Sequence, residues 1–412
     1  MTILITGAFG FVGSNLSAYL AEKGHELWAL DLLRPRSGRN GECKNGRGAC
    51  EGARGACDGG LVREGGYARC FDWEELEQIP WGEVDAVVHL AGKAHDTRNA
   101  SDPQSYFDVN AGLTKKVISS LVHYCVSASV GKQEAIVNKQ SATGNDSTNV
   151  LPKFLLFSSV KAVADRVEGV LTEEAVPAPQ TPYGQSKLEA EGVVGSSLVH
   201  YCASALVERA EGGESVGNKQ PAIGNDSTNE RMNSRTNELF YYILRPCMIH
   251  GPGNKGNLNL LYGVVSKGVP WPLGAFENRR SFASIGNVCA VVEGLLTGDA
   301  AAGVYQVADD EALSTNELIG LMAETLGRRA RVWRVPAGLI RWAARCGDAL
   351  RLPLNSERLK KLTESYVVSN DKIKKALGWE TMPVSAEEGM RKTLESFGIS
   401  SLTEAQRSQR SF

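Results

Sequence analysis

The stretch that decides the fold stands at the start of the chain: Ile3-Leu4-Ile5-Thr6-Gly7-Ala8-Phe9-Gly10-Phe11-Val12-Gly13. The run Ile3–Thr6 is apolar, rich in branched side chains and stopped by glycine, which reads as a buried β-strand. A helical period then runs over Phe11–Lys23. Between the two, glycines at 7, 10 and 13 let the backbone turn tightly and approach a pyrophosphate. The first N–H groups of the helix, with their partial positive charge, then face that group. Glycines alone are a weak signal, because plain turns also use them. Set between a strand and a helix, Gly7, Phe9, Gly10, Phe11, Val12 and Gly13 read as a dinucleotide cradle.

Working outward, strands alternate with helices. Glu26–Leu30, Val84–Leu90, Phe154–Ser158 and Phe240–Leu244 read as strands, and Phe107–Ser120 and Tyr183–Val194 as helices. Such alternation predicts right-handed crossovers and a doubly wound parallel α/β sheet of the Rossmann type. The predicted division is 1–245 for that domain and 246–412 for a smaller lobe that closes over it. Asp31 ends the second strand, where a carboxylate accepts both ribose hydroxyls and repels a 2′-phosphate, favouring NAD over NADP. Arg34 and Arg36 follow closely and soften that preference, leaving NADP open. Asp72, beyond a glycine-rich stretch, is placed to reach the adenine; its alternative is a solvent-facing loop acid.

The bulk numbers exclude several classes. A chain of 412 residues with 42% hydrophobic and 22% charged residues is ordinary for a soluble globular protein. A formal net charge of −2 offers no broad basic field for nucleic acid or an anionic membrane. No apolar run reaches the roughly 18 residues that span a bilayer. Nine scattered cysteines suit free thiols in a reducing cytoplasm. Cys43, Cys50 and Cys57 recur every seven residues but lack a histidine, so no metal site is expected.

One repeat interrupts the pattern. Ser119-Ser120-Leu121-Val122-His123-Tyr124-Cys125 recurs at Ser196–Cys202, and Gly144–Asn149 recurs at Gly224–Asn229. Two copies are too few for a solenoid. The segments at about 37–66, 121–151 and 197–238 therefore read as insertions, either flexible surface loops or partner-binding ones. The last two fall between a helix and the next strand, at the amino edge of the sheet, away from the carboxyl edge where ligands bind.

The chemistry is carried by Tyr183-Gly184-Gln185-Ser186-Lys187. A spacing of four places Tyr183 and Lys187 on one helix face. An ammonium there is expected to stabilise a phenolate and lower a tyrosine pKa that otherwise lies near 10. Upstream, Phe157-Ser158-Ser159 ends a strand, where a hydroxyl can orient a reacting oxygen. The plain alternative for the pair is a surface contact between Tyr and Lys.

With these motifs the chain resembles extended short-chain dehydrogenases/reductases, in the nucleotide-sugar branch of the NAD-dependent epimerase/dehydratase family. The matching segments are Thr6–Gly13, His89–Gly92, Val109-Asn110, Phe157–Lys161, Tyr183–Lys187, Leu244–Pro246 and Arg280–Phe282. The resemblance implies that Tyr183 is the acid/base and that Lys187 binds the nicotinamide ribose. Ser159, 24 residues before Tyr183, is then the catalytic serine, in preference to Ser158. Leu90, Ala91, Gly92, Lys93 and Asn110 line the cofactor, and Pro246 sits by the nicotinamide. Asn257 and Leu260 contact the nucleotide, and Arg280 clamps the diphosphate with its planar fork. His250 reads as structural.

Dehydratases of this family carry an Asp-Glu pair directly after the catalytic hydroxyl residue. Val160 and Lys161 stand there instead. The resemblance therefore implies NAD-dependent 4-epimerisation of a UDP-hexose or UDP-N-acetylhexosamine. The rival is a 4-keto reductase making a 6-deoxy amino sugar, and a remoter one is a non-catalytic NAD-binding scaffold. A nucleotide-sugar partner, a homodimer and a cytoplasmic setting belong to the same expectation.

Overall fold

A computed structural model describes residues 1–32, 66–94, 102–137, 152–211, 240–254, 256–350 and 356–409. Seven parallel strands form the main sheet. They are β1 (Thr2–Thr6), β2 (Glu26–Leu30), β3 (Tyr67–Phe71), β4 (Ala86–His89), β5 (Lys153–Phe157), β6 (Tyr241–Pro246) and β7 (Gly303–Val307). Their order across the sheet is β7-β6-β5-β4-β1-β2-β3. The order reverses beside β1, which puts the glycine loop at the switch point where doubly wound sheets bind ligands.

Alternate side chains of each strand enter different cores, as the two-residue period requires. Ile3 and Ile5 face one side with Val88, Leu155 and Leu244, under α1 (Phe11–Glu22) and α5 (Ile285–Thr297). Leu4, Val87, Leu156 and Ile243 face the other, under α2 (Gln104–Val137) and α3 (Pro182–Glu211). Ordinary parallel strands with both faces covered are apolar throughout, which is why the sequence pattern was continuous rather than alternating.

Two expectations are corrected. The segments expected as loop insertions from 121 and from 197 begin as helix, not loop. α2 and α3 run on through the repeated Ser-Ser-Leu-Val-His-Tyr-Cys motifs, and Leu121 and Cys125 are buried against Trp81 and Ile118. The repeat therefore lengthens two helices that pack on each other. Nor does residue 246 close the account of the sheet. The chain returns through α5 and adds β7 beside β6, with Tyr305 opposite Leu244. Most of the 37–66 stretch, with Arg34, Arg36, Cys43, Cys50 and Cys57, lies outside the described residues.

The lobe is built from α4 (Asn257–Ser266), α6 (Thr315–Thr325), α7 (Ala337–Leu350), α8 (Ser356–Thr363), α9 (Asp371–Leu377) and α10 (Ala386–Gln409). Two short strands, Met248–His250 and Phe282–Ser284, pair in parallel at its root. His250 is fully buried there and its Nδ1 lies 2.8 Å from the Thr393 hydroxyl, tying α10 down.

Candidate active site

The glycine loop is held by backbone bonds that leave no room for side chains. Gly7 donates to the Leu30 carbonyl at 3.0 Å and adopts φ +67°, a left-handed conformation that glycine tolerates. A Cβ on Gly7 would lie 2.8 Å from the Ala91 nitrogen, and one on Gly13 would lie 2.5 Å from the Gly7 and Ala8 carbonyl oxygens. The loop thus packs against the end of β4 and against the first turn of α1. Thr6 ties the same corner: its Oγ1 accepts from the Ala91 N–H at 3.1 Å and meets His89 Nδ1 at 2.8 Å. Burial, with a smaller push from the Lys187 ammonium, holds His89 down to about 3, so its ring is neutral.

Asp31 follows β2 directly, and its carboxylate accepts from the N–H of Phe9 at 2.9 Å and of Leu32 at 2.7 Å. Leu30 and Phe71 are register partners, so Asp31 and Asp72 leave the sheet side by side. Asp72 begins a short 3₁₀ turn whose Glu75 carboxylate accepts from the Asp72 N–H. Both acids therefore stand at the carboxyl edge, next to the glycine loop.

Beyond β4, Leu90, Ala91, Gly92 and Lys93 run across the same edge. Lys93 N–H donates to the Asn110 side chain at 2.8 Å, and the Asn110 amide donates to Ser186 Oγ at 2.9 Å. Asn110 on α2 thus links the β4 loop to α3. A Cβ on Gly92 would sit 3.0 Å from Lys187 Nζ. Lys93 Nζ lies 4.9 Å from the ring centre of Tyr106, which in turn stands edge-on to Tyr183 at 6.1 Å. A contiguous path therefore runs from Asp31 through Phe9, Gly7, Ala91 and Gly92 to Lys187.

Tyr183 lies in the first turn of α3. Asp165 fixes that turn, accepting from Gln180 N–H, Thr181 N–H and Thr181 Oγ1 at 2.7, 3.2 and 3.1 Å. Gly184 lets it come close: a Cβ there would overlap the Lys161 carbonyl oxygen. The Tyr183 hydroxyl is hydrogen-bonded to Ser159. Ser159 also accepts from Lys161 N–H at 3.2 Å, starting a 3₁₀ turn. The neighbouring Ser158 instead donates to Glu191. The two serines thus serve different partners.

The electrostatics differ from the sequence expectation at one point. Burial pushes the Tyr183 phenol above its ordinary value, and the bond from Ser159 only partly offsets that. The Lys187 ammonium donates to the Phe157 carbonyl at 2.9 Å, and burial lowers Lys187 to about 8 although Glu191 opposes the shift. The expected lowering of Tyr183 by Lys187 is therefore not seen here; desolvation dominates.

Sequence reasoning missed the group that supports Lys187. Glu191 lies one turn further along α3 and is buried with Arg245 of β6. Arg245 Nε and Nη2 reach its two carboxylate oxygens at 2.9 and 2.6 Å, a bidentate pair. The available signal was the i, i+4 continuation Tyr183, Lys187, Glu191.

The lobe's contributions are less closely tied. Pro246 ends β6, and Asn15 of α1 donates to the Pro252 carbonyl at 3.3 Å, so the lobe's entry loop lies on the glycine-loop helix. Asn257 opens α4, and Leu260 is 71% exposed on it. Arg280 is half-buried and its Nε donates to the Glu364 carbonyl at 3.1 Å. Lys161 stands near it, with Nζ 4.1 Å from the Tyr366 ring centre.

A doubly wound sheet with a tight glycine loop, an acid after β2 and a Ser-Tyr-Lys set at the carboxyl edge defines a dinucleotide-dependent enzyme. The model of the NAD dependent epimerase/dehydratase family matches residues 3–210, and the chain belongs to that family. It is similar to a UDP-glucose 4-epimerase of Vibrio cholerae, 26% identical over 96% of this chain and 95% of that one. It also resembles an N-acetyl-alpha-D-glucosaminyl-diphospho-ditrans,octacis-undecaprenol 4-epimerase of Escherichia coli O157:H7, 23% identical over 79% of this chain and 80% of that one. Among solved structures, UDP-glucuronic acid 4-epimerase from Bacillus cereus in complex with NAD shares the fold. Its TM-score is 0.58 at 16% identity, covering 97% of this chain and 99% of that one.

Proposed function

We propose that the protein interconverts a UDP-hexose or UDP-N-acetylhexosamine with its 4-epimer through a transient 4-keto sugar, using NAD. The observation that carries this reading is the Tyr183–Ser159 hydrogen bond, with Lys187 one turn along. Val160 is buried, Lys161 Nζ donates to the Asp165 carbonyl, and the Asp165 carboxylate is occupied by the start of α3. The two positions after Ser159, where a dehydratase carries its elimination acids, thus hold none. The Vibrio cholerae and Escherichia coli relatives, both 4-epimerases of diphosphate-linked sugars by name, support the same reading.

The residues fit the cofactor. Gly7, Gly10 and Gly13 leave the backbone bare for the pyrophosphate against Phe9, Phe11 and Val12, and Asp31 stands where the ribose hydroxyls need an acceptor. Asp72, Leu90, Ala91, Gly92, Lys93, Asn110 and Pro246 line the rest. Bound NAD supplies the two-electron oxidation and reduction at C4 of the sugar. The chain supplies the proton chemistry: Tyr183 as phenolate removes the 4-hydroxyl proton, Ser159 orients that oxygen, and Lys187 holds the ribose. The 4-keto sugar then turns within the site, and Tyr183 returns the proton on the other face. Arg280 clamps the diphosphate, and Asn257 and Leu260 contact the nucleotide. A cytoplasmic homodimer completes the proposal.

Purified protein incubated with UDP-galactose, UDP-GalNAc and their epimers should interconvert them. No interconversion, with net consumption of NADH or NADPH on a 4-keto sugar, would replace this reading with the reductase one. Two further outcomes are expected. Asp31→Asn removes the charge that repels a 2′-phosphate, so NADP binding should strengthen about tenfold relative to NAD, read by cofactor fluorescence titration. Gly184→Ala should preserve the circular dichroism spectrum but displace Tyr183, reducing turnover roughly a hundredfold. Unchanged turnover would show that the close approach to Lys161 is incidental.

A further inference from the structure

We propose that α7 and the segment leading into it dock the protein on the surface of an anionic phospholipid membrane. The inference is independent of the reaction assigned above. From Leu326 to Leu350, the end of α7, the sequence carries six arginines and one acid, Asp348, whose carboxylate accepts from Ser356, in a chain whose net charge is −2. Arg328, Arg329, Arg331, Arg334, Arg341 and Arg345 are all exposed. None forms an ion pair with a carboxylate among the described residues. Among the described residues, Arg328 and Arg331 donate to the Ser266 and Gly268 carbonyls, neutral acceptors that do not offset their charge. An excess of cationic charge therefore stands in this segment.

The apolar groups beside those charges point outward. Ile340 and Ala344, four residues apart, anchor one face of α7 against Leu273 and Leu359. On another face Leu339 and Trp342, three residues apart, are 55% and 64% exposed, and Arg345 continues that row. Trp333, just before the helix, is 58% exposed. A helix packed on one face ordinarily presents polar residues on the other. Here that other face combines leucine and indole with guanidinium. This is the pattern of a helix lying in the interfacial plane, with aromatic rings at headgroup level and cations on lipid phosphates. No helix among the described residues is long and apolar enough to cross a membrane, so the contact is peripheral.

Charge decides the occupant. A second copy seated face to face would bring six more arginines against these six. An anionic bilayer neutralises them and also accepts the leucine and tryptophans, which a phosphate backbone alone does not bury.

The test uses the full chain and vesicles of phosphatidylcholine with or without phosphatidylglycerol, read by co-sedimentation and tryptophan emission. Binding is expected only with phosphatidylglycerol, weakening as salt rises, with a blue shift of emission. The exposed double variant Leu339→Ser, Trp342→Ser should lower partitioning at least tenfold. Arg341→Glu with Arg345→Glu should lower it more, at about fivefold for each cation lost. Both variants should keep wild-type melting and turnover. The proposal is overturned if phosphatidylglycerol vesicles do not sediment the protein, if neutral vesicles bind it equally, or if both variants bind like wild type. It is also overturned if the face instead retains duplex DNA in the Leu339/Trp342 variant without binding lipid, or if the variants abolish self-association without lipid binding.

Discussion

Replacing Tyr183 by Phe should cut epimerisation by between about a hundredfold and ten-thousandfold, the range removed with a positioned acid/base. The substitution deletes one oxygen and keeps the ring. The ring's edge-on contact with Tyr106 therefore persists, and so does the packing at the start of α3. What disappears is the hydroxyl bonded to Ser159. On the proposal that cofactor binding rests on the glycine loop, Asp31 and Lys187, NAD affinity should stay within a few fold. Initial rates with a UDP-sugar, alongside NAD titration, check both halves. A rate within tenfold of wild type would show that another group handles the proton. A parallel loss of NAD binding would show that the variant had disturbed the site as a whole.

Glu191→Gln should destabilise the fold by about 3–5 kcal/mol, because it strands the buried Arg245 guanidinium without its carboxylate. Thermal melting reads that loss. The double change Glu191→Met with Arg245→Met, which removes both charges together, should restore most of it. The single variant should also report on chemistry. Burial lowers Lys187 to about 8, and Glu191 is the charge that opposes the shift. Without it the ammonium loses its proton at a lower pH. The alkaline fall in turnover should then begin below its wild-type position. An unchanged melting midpoint would refute the structural claim, and an unchanged pH profile would refute the electrostatic one.

Local patterns made much of this legible before any coordinates. β1, the glycine loop and α1 follow from residues adjacent in sequence, and Tyr183 and Lys187 share one helix face. What was not legible depends on distance or burial. Glu191 and Arg245 are 54 positions apart, and nothing local announces that they meet. The rise in the Tyr183 pKa comes from desolvation, which a sequence does not display. The helix ends were misread for a different reason. The repetition of the motif reads as insertion, yet Leu121 and Cys125 continue the buried stripe begun by Val117 and Ile118. β7 joins the sheet after a long excursion through the lobe, and only pairing with β6 reveals it.

The placement of Tyr183 in the opening turn of α3 has an electrical consequence. Aligned peptide dipoles leave about half a positive charge at a helix start, and its influence fades within the first turn. Tyr183 stands inside that field, where a phenolate is favoured, while Lys187 and Glu191 lie beyond most of it. The Asp165 carboxylate spends part of the same field on the backbone N–H groups of Gln180 and Thr181. The twenty or so residues that follow Glu191 in α3 add length without adding voltage. That helix can therefore be extended at its far end, as the repeated motif has extended it, and leave the acid strength of the tyrosine untouched.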